Sequence, residues 1–253
     1  MTRIVVGTSG WDYPGWRGLF YPARLPRRAW LAYASRHFNS IELNGTFYSL
    51  KSPGVFASWA RAVPGRGFVF AVKGSRYLTH QLELANPAGA LANFFASGVL
   101  ALGRKCGPFL WQLPPGLAFD LARLEAFLAS LPRDSQSAAR LARRHHRRLR
   151  YGALAKTTVR VRYRHALEVR HASFACEECY DLLRAYRTAL VTADTAGRYP
   201  CLDQPTADFA YLRLHGSRVL YASGYSDREL AAWADRIAGR AAPAAPGLCV
   251  FRQ

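Results

Sequence analysis

Short apolar runs alternate with longer segments of helical periodicity along the whole chain. The apolar runs predict eight β-strands, at residues 3–8, 40–43, 68–73, 109–113, 165–170, 189–194, 209–215 and 248–251. The segments between them predict seven helices, at residues 27–37, 54–62, 88–102, 121–131, 136–148, 174–186 and 227–238. Strand–helix alternation with units of about 30 residues favours a closed parallel barrel. The pattern therefore predicts one α/β domain over residues 1–253, a TIM-type (β/α)8 barrel.

Alternation within the strands separates an apolar face from a polar one, because successive strand residues point to opposite faces. Ile41 and Leu43 share one face of the second strand, whereas Glu42 and Asn44 share the other. Polar residues near the carboxyl ends of the later strands follow the same scheme: Lys73, Gln112, Glu168, Arg170, Asp194, Arg213 and His215. Active sites of (β/α)8 barrels lie at that end. We therefore expect these side chains to meet at the barrel mouth.

The predicted mouth is rich in charge. It gathers three carboxylates, three cations and a histidine: Glu42, Glu168, Asp194, Lys73, Arg170, Arg213 and His215. One interpretation is a network of buried ion pairs that satisfies only itself, because buried charges must be paired. We favour a ligand site, since apolar side chains would fill a barrel with less desolvation. If the charges do pair, Glu168 is expected to bond Arg170, Asp194 to bond Arg213, and Lys73 to approach Glu42.

The chemistry of these groups points to an anionic ligand. Lys73, Arg170 and Arg213 suit a phosphate or carboxylate group. Glu42, Glu168, Asp194 and His215 are candidates for general acid–base groups or for ligands of a divalent metal ion. That ion is the one cofactor that the residues indicate.

Composition adds a second hypothesis. The formal net charge is +19, from 35 Lys and Arg against 16 Asp and Glu. Residues 140–150 read RLARRHHRRLR, within a basic segment at residues 133–164. A charge of this size favours anionic partners, so the alternative function is non-catalytic nucleic-acid binding through the Arg-rich 133–164 surface. A solvated helix face is the commoner explanation of such a run.

Other features point to a soluble, cytoplasmic protein. No apolar stretch reaches the ~18 residues that a membrane span needs, and the N-terminal residues lack the layout of a signal peptide. Five scattered cysteines do not make a disulfide framework, and the pair Cys176 and Cys179 is better explained as buried helix cysteines than as a redox or zinc site. An aromatic group after the first strand could stack a ligand or simply pack: Trp11, Tyr13, Trp16, Phe20 and Tyr21.

Seven motifs in order along the chain carry a family resemblance. They are GTSGWDYPGWRGLFYP, IELNGTFYSL, FVFAVKGSRYLTH, FLWQLPP, ALEVRHASF, VTADTAG and YLRLHGS with LYASGYSD. Together they resemble the YecE-like family, domain of unknown function 72. The resemblance implies a bacterial TIM-barrel protein and supplies no established reaction. It also implies that Thr46, His80 and His171 join Asn44 and the mouth residues in binding the ligand.

The expected function is binding of an anionic, phosphate-bearing ligand at the barrel mouth, with metal-assisted hydrolysis of a phosphoester as the most concrete reaction. Members of the family usually continue after the last strand with an Ala-Pro segment and a final helix. This sequence instead reads GLCVFRQ after a Pro/Ala-rich stretch. We therefore expect the eighth βα unit to be truncated or irregular.

Overall fold

A parallel β-sheet forms the centre of the protein. The computed structural model describes residues 4–146, 149, 152–240 and 248–251. Its strands are β1 (Val5–Ser9), β2 (Ser40–Leu43), β3 (Val69–Lys73), β4 (Cys106–Gln112), β5 (His165–Glu168), β6 (Thr188–Asp194), β7 (Tyr211–Leu214) and β8 (Leu248–Phe251). Each strand pairs with the next, and β8 pairs with both β7 and β1. The sheet therefore curls until its two edges meet.

Helices cover the outside of the curled sheet. They are α1 (Trp30–His37), α2 (Gly45–Tyr48), α3 (Pro53–Ala62), α4 (Ala88–Ala96), α5 (Leu121–Ser130), α6 (Ser135–Ala142), α7 (Glu177–Ala185) and α8 (Asp227–Arg240). Residues 195–210, between β6 and β7, contain no helix, whereas two α-helices lie between β2 and β3 and two between β4 and β5. The predicted α/β class is confirmed, but the strict alternation of a regular (β/α)8 barrel is not present.

Two apolar layers hold the sheet in place. Ile41, Phe70 and Leu167 pack in one cluster with helix residues such as Phe95 and Phe127, so they face outward. A second cluster lies inside the curl and contains Ala71, Leu110, Ala166, Val191 and Tyr211. The alanines of this inner layer suit the narrow interior. Strands β2 to β5 thus follow the predicted alternation.

The residues of strand β6 point to the opposite faces of the sheet from those predicted. Leu190 packs with the outer cluster, while Val191 and Ala193 belong to the inner one. The alternating residues Thr192 and Asp194 therefore face outward, and the prediction that Asp194 points into the barrel is wrong. The sequence of β6 does alternate, but its more polar face lies against residues 195–210, which form no helix. There Thr192 bonds Asp203, and Thr206 bonds the backbone of β6.

One predicted helix, residues 88–102, is divided at Gly98. Helix α4 ends at Ala96, and a 3₁₀ turn over Val99–Lys105 follows. Gly98 has a φ of 147°, and a Cβ atom at this position would lie 2.7 Å from the backbone of Pro53. Only glycine fits both the conformation and the close approach.

The aromatic group after β1 packs against α1. The ring of Tyr21 stacks on Trp30 with 4.7 Å between centroids, and its hydroxyl donates to the carbonyl oxygen of Trp11 at 2.6 Å. Trp16 and Phe20 contact each other edge to face. These contacts favour the packing interpretation over ligand stacking.

Helix α7 begins beside the Cys-x-x-Cys pair. Cys176 and Cys179 are free thiols, and burial raises the pKa of Cys179 to about 12. A thiol that stays protonated suits a packed helix residue better than a redox or metal site.

Candidate functional site

Arg213, on β7, lies fully buried inside the curled sheet between two carboxylates. Its Nη2 donates to Glu42 Oε1 at 2.8 Å, and its Nη1 donates to Glu168 Oε2 at 2.5 Å. The structure therefore brings together side chains from β2, β5 and β7, and all three side chains were predicted to share the interior.

Glu42 accepts two further hydrogen bonds. Ser9 Oγ donates to Oε1 at 2.6 Å, and the hydroxyl of Tyr211 donates to Oε2 at 2.8 Å. Burial raises the pKa of the Glu42 carboxyl, but Arg213, Lys73 and the two hydroxyl donors lower it more, so the pKa lies below its usual value. Glu42 is therefore ionised at neutral pH.

Glu168 joins the buried network to the mouth of the sheet. Its Oε1 accepts bonds from Nε and Nη2 of Arg170, each at 3.2 Å, so the expected pair is present. Burial raises the pKa of Glu168, but the positive charges of Arg213 and Arg170, together with His215, hold it well below its usual value. Both buried carboxylates are thus anions.

Arg170 is the member of the network that reaches solvent. Its side chain is 11% exposed, compared with 1% for Glu168 and 0% for Arg213. Its Nη2 also donates to the hydroxyl of Tyr221 at 3.0 Å, and its guanidinium lies over the ring of Tyr199 at 4.7 Å. These contacts hold the cation in one orientation at the carboxyl end of β5.

Lys73 is a third cation at the same end of the sheet, as the last residue of β3. Its Nζ donates to Gln112 Oε1 at 2.8 Å and lies 4.2 Å from the ring centroid of Phe47. The side chain is almost fully buried. Its charge also lowers the pKa of Glu42.

Asp194 does not pair with Arg213, contrary to the expected pairing. Its Oδ2 accepts a bond from the hydroxyl of Tyr225 at 3.0 Å, and its Oδ1 accepts one from the backbone N–H of Ala196 at 3.2 Å. The outward phase of β6 places this carboxylate away from the buried network. Arg213 takes its acidic partners from β2 and β5 instead.

Two histidines lie near the network. His215 is fully buried and packs edge to face against Tyr221, with 5.2 Å between ring centroids. His80 is partly buried, with Nδ1 2.8 Å from Thr79 Oγ1. Burial, with the nearby charges of Lys73 and Arg170, lowers the pKa of His80 to about 4. His80 is therefore neutral at pH 7.

The other predicted ligand-binding residues have different surroundings. The Oγ1 atom of Thr46 lies 2.6 Å from the carbonyl oxygens of both Leu43 and Lys73, so this residue ties the ends of β2 and β3 together. His171 bonds Ser173 and caps the short turn Ala172–Phe174. Asn44 follows β2, and its buried Oδ1 has no hydrogen-bond partner among the described residues.

The four predicted metal ligands do not form a metal site. Within the described part of the chain, no group of three or more His, Cys, Asp and Glu side chains is arranged to hold a metal ion. The oxygens of Glu42 and Glu168 accept bonds from Arg213, and Asp194 faces outward. A guanidinium thus occupies the position between carboxylates that a cation would need.

Comparison with known proteins identifies the family. Residues 5–253 match the model of a family described as protein of unknown function DUF72. The chain belongs to the DUF72 family. The resemblance to YecE is also confirmed: UPF0759 protein YecE of Escherichia coli K12 is 32% identical over 130 residues, which are 51% of this chain and 44% of that protein. The match thus covers less than half the length of that relative.

Solved DUF72 structures share the fold. The crystal structure of a DUF72 family protein from Thermotoga maritima MSB8 is similar to this chain, with a TM-score of 0.77 and 26% identity over 99% of this chain and 92% of that one. A DUF72 family protein from Enterococcus faecalis V583 has a TM-score of 0.73 and 16% identity, over 99% of this chain and 88% of that one. None of the described helices of this family member is long and apolar enough to span a membrane.

Some contacts of the candidate site were not predicted from the sequence. Ser9 and Tyr211 bond Glu42, and Tyr199 and Tyr221 hold Arg170. Tyr211 was detectable, because it lies two residues before Arg213 and so shares its face of β7. Tyr199 and Tyr221 lie in loops beyond strand ends, where no periodicity shows the direction of a side chain.

The Arg-rich segment divides into two parts in this DUF72 member. Arg143 and Arg144 are exposed just after α6. Arg133, Arg162 and Arg164 border a cavity at the opposite end of the sheet from the mouth. Residues 147, 148, 150 and 151, from the densest part of the run, lie outside the described residues.

Proposed function

We propose that the mouth of the curled sheet binds a small anionic group, a carboxylate or a phosphate, through Arg170 and Lys73. The observation that carries the proposal is an excess of positive charge. Among the described interior residues, three cations, Lys73, Arg170 and Arg213, meet two carboxylates, Glu42 and Glu168. These five side chains together therefore have a formal charge of +1. A buried excess charge is costly, and a bound anion offsets that cost.

The position of the cations supports this function. Arg170 and Lys73 both lie at the carboxyl ends of parallel strands, where ligands of related folds bind. Arg170 is oriented by Glu168, Tyr199 and Tyr221. Glu168 and Tyr221 take the N–H groups of Nε and Nη2, so the N–H groups of Nη1 are the donors that Arg170 can offer an oxyanion.

Two neutral groups add polarity beside the cations. His80 is uncharged at pH 7 and can donate or accept a hydrogen bond without changing the local charge. The unpartnered Oδ1 of Asn44 is an acceptor for a hydroxyl or N–H of the same ligand. The site thus favours an organic acid or phosphoester that carries donors besides its anionic group.

The donor set does not favour metal-assisted hydrolysis of a phosphoester. Such a reaction needs free carboxylate oxygens around one point, whereas Glu42 and Glu168 give theirs to Arg213 and Asp194 faces outward. The proposed function is therefore the binding of an anion by positively charged side chains.

The test compares two lysine variants. Millimolar acetate, at an ionic strength fixed with chloride, should raise the Tm of the wild-type chain, because a ligand that binds only the native state stabilises it. Lys73→Met should remove this rise. Lys156→Met, at an exposed position, should keep it. Each variant is compared with its own Tm without acetate, so a change in basal stability does not affect the result.

Arg170→Gln provides an independent second variant if Lys73→Met folds poorly. It should also remove the acetate response, because it deletes the partly exposed guanidinium. A wild-type Tm that ignores acetate would overturn the proposal. So would an unchanged response in both Lys73→Met and Arg170→Gln.

A further inference from the structure

A cavity at the amino-terminal end of β5 and β6 is lined by four arginines. We call it the arginine pocket; its lining is Arg133, Arg162, Tyr163, Arg164, Ala185, Tyr186 and Arg187. Its volume is about 290 Å³, roughly that of ten water molecules in the liquid. The pocket lies at the opposite end of the sheet from Arg170 and Lys73, so it is separate from the mouth.

Backbone contacts hold two sides of the arginine pocket together. Asp134 and Arg162 form an antiparallel bridge, and the N–H of Tyr163 donates to the carbonyl oxygen of Arg133 at 2.8 Å. Ser135 extends this contact, since its N–H donates to the carbonyl oxygen of Val161 at 2.9 Å. The arginines are therefore presented by fixed backbone.

The charges in the arginine pocket are only partly neutralised. Asp208 Oδ2 accepts a bond from Arg162 at 2.7 Å, and Asp208 Oδ1 lies 3.8 Å from Arg164 Nε. That Nε is buried and has no hydrogen-bond partner among the described residues. Among the described residues, Asp208 is the carboxylate that forms ion pairs with these arginines, and Glu125 accepts a bond at 3.3 Å from the hydroxyl of Tyr186 on the pocket lining. The four arginines therefore remain in excess over the carboxylates near them.

Aromatic rings position two of the arginines. The guanidinium of Arg133 lies 5.8 Å from the ring centroid of Tyr186, and that of Arg164 lies 5.6 Å from the ring centroid of Phe209. Both arginines are only partly exposed, so water solvates these cations incompletely. Burial accordingly lowers the pKa of both. An incompletely solvated cation with an unused N–H binds an oxyanion more strongly than a fully hydrated one.

Arg187 occupies a backbone conformation that favours glycine. It follows α7 with a φ of 45°, at a position where helices commonly end in a left-handed glycine. Arg187 nevertheless lines the arginine pocket. A strained conformation at a ligand-facing position is consistent with a side chain that serves binding.

We propose that the arginine pocket binds the phosphate group of a small molecule that carries at least two negative charges, such as a diphosphate. The excess of arginines over carboxylates suits such a group better than it suits a monoanion. Guanidinium forks are the side chains best suited to phosphate oxygens. A concave pocket of this size encloses one phosphorylated head group, whereas a nucleic-acid backbone would need an extended basic surface.

The experiment is calorimetric titration of the full chain with inorganic pyrophosphate. The wild-type chain should bind it. Arg164→Gln and Arg187→Gly should each weaken binding by about tenfold or more, as expected for loss of charged hydrogen bonds. Arg24→Gln removes an exposed cation elsewhere and should leave binding unchanged. The titration is repeated in a Lys73→Met background, which removes anion binding at the mouth. Pyrophosphate binding that remains in this background and is weakened by Arg164→Gln belongs to the arginine pocket.

Three outcomes would overturn the proposal. They are absence of pyrophosphate binding to the wild-type chain, equal binding by Arg164→Gln, Arg187→Gly and Arg24→Gln, and binding of a single-stranded oligonucleotide but not of pyrophosphate. In the last case the partner would be nucleic acid. If Arg164→Gln folds poorly, Arg187→Gly alone decides, because glycine suits the backbone at that position.

Discussion

Arginines at the two ends of the sheet are held in different ways. Arg213 is fully buried and bonds two carboxylates, at 2.8 and 2.5 Å. Arg164, in the arginine pocket, is 35% exposed, and its carboxylate contact is at 3.8 Å. A charge removed from water needs its counter-charge within the fold, whereas a charge that keeps part of its hydration can remain unmatched. Arg213 is therefore a structural cation, and Arg164 is available to a ligand.

Arg213→Met should give the largest effect on stability. The substitution leaves Glu42 and Glu168 buried without their common partner, so the free energy of unfolding should fall by about 3–5 kcal/mol. Arg164→Met should change it by less than about 1 kcal/mol, because its ion pair is long and partly hydrated. Urea unfolding at pH 7 measures both. Similar losses in the two variants would contradict the distinction between them.

Glu168→Gln should reveal the contribution of the same network through the pH dependence of the free energy of unfolding. The folded pKa of Glu168 lies below that of the unfolded chain, so its stabilisation is complete above about pH 5 and is lost as the pH falls through the unfolded value near 4.3 and below. Glu168→Gln should therefore cost about 1.5–3 kcal/mol at pH 7 and progressively less below about pH 4. Glu177→Gln, at an exposed glutamate, is the matched control. The difference in stability between this variant and the wild type should not shrink in this way as the pH falls.

Arg187→Gly should give the smallest effect, and in the opposite direction. Glycine adopts a φ of 45° without steric cost, so the variant should gain about 1 kcal/mol of stability while it loses pyrophosphate binding. Arg184→Gly, inside α7, should instead lose about 1 kcal/mol. Thermal unfolding of the two variants gives the comparison. A less stable Arg187→Gly would mean that this arginine stabilises the fold.

The sequence predicted the elements of the fold better than it predicted which side chains contact each other. Strands β2 and β8 have the predicted bounds. Alternation correctly placed Glu42, Glu168 and Arg213 inside. It did not show that Arg213 bonds both glutamates, because that depends on how far each strand is displaced along its neighbours when the sheet curls.

Strand β6 shows where alternation fails. Its apolar face, Ala189, Val191 and Ala193, was expected to pack under a helix, but residues 195–210 form no helix and this face lies inside. Asp194 was therefore assigned to the wrong face. The arginine pocket was also beyond sequence analysis. Arg187 lies 23 residues after Arg164 in the numbering and meets it only because β5 and β6 are neighbours. A run of arginines in the sequence predicted charge without showing which members converge.

The pairing of β1 with β8 has a consequence for the order in which the protein folds during synthesis. Val5 pairs with Leu248, a sequence separation about seven times that of the Gly7–Ser40 pair. Closing so long a loop costs about 2 kcal/mol more in chain entropy than closing the short one. One edge of the first strand stays unpaired until residues 248–251 have left the ribosome. During that time it is a site for aggregation or for capture by a chaperone.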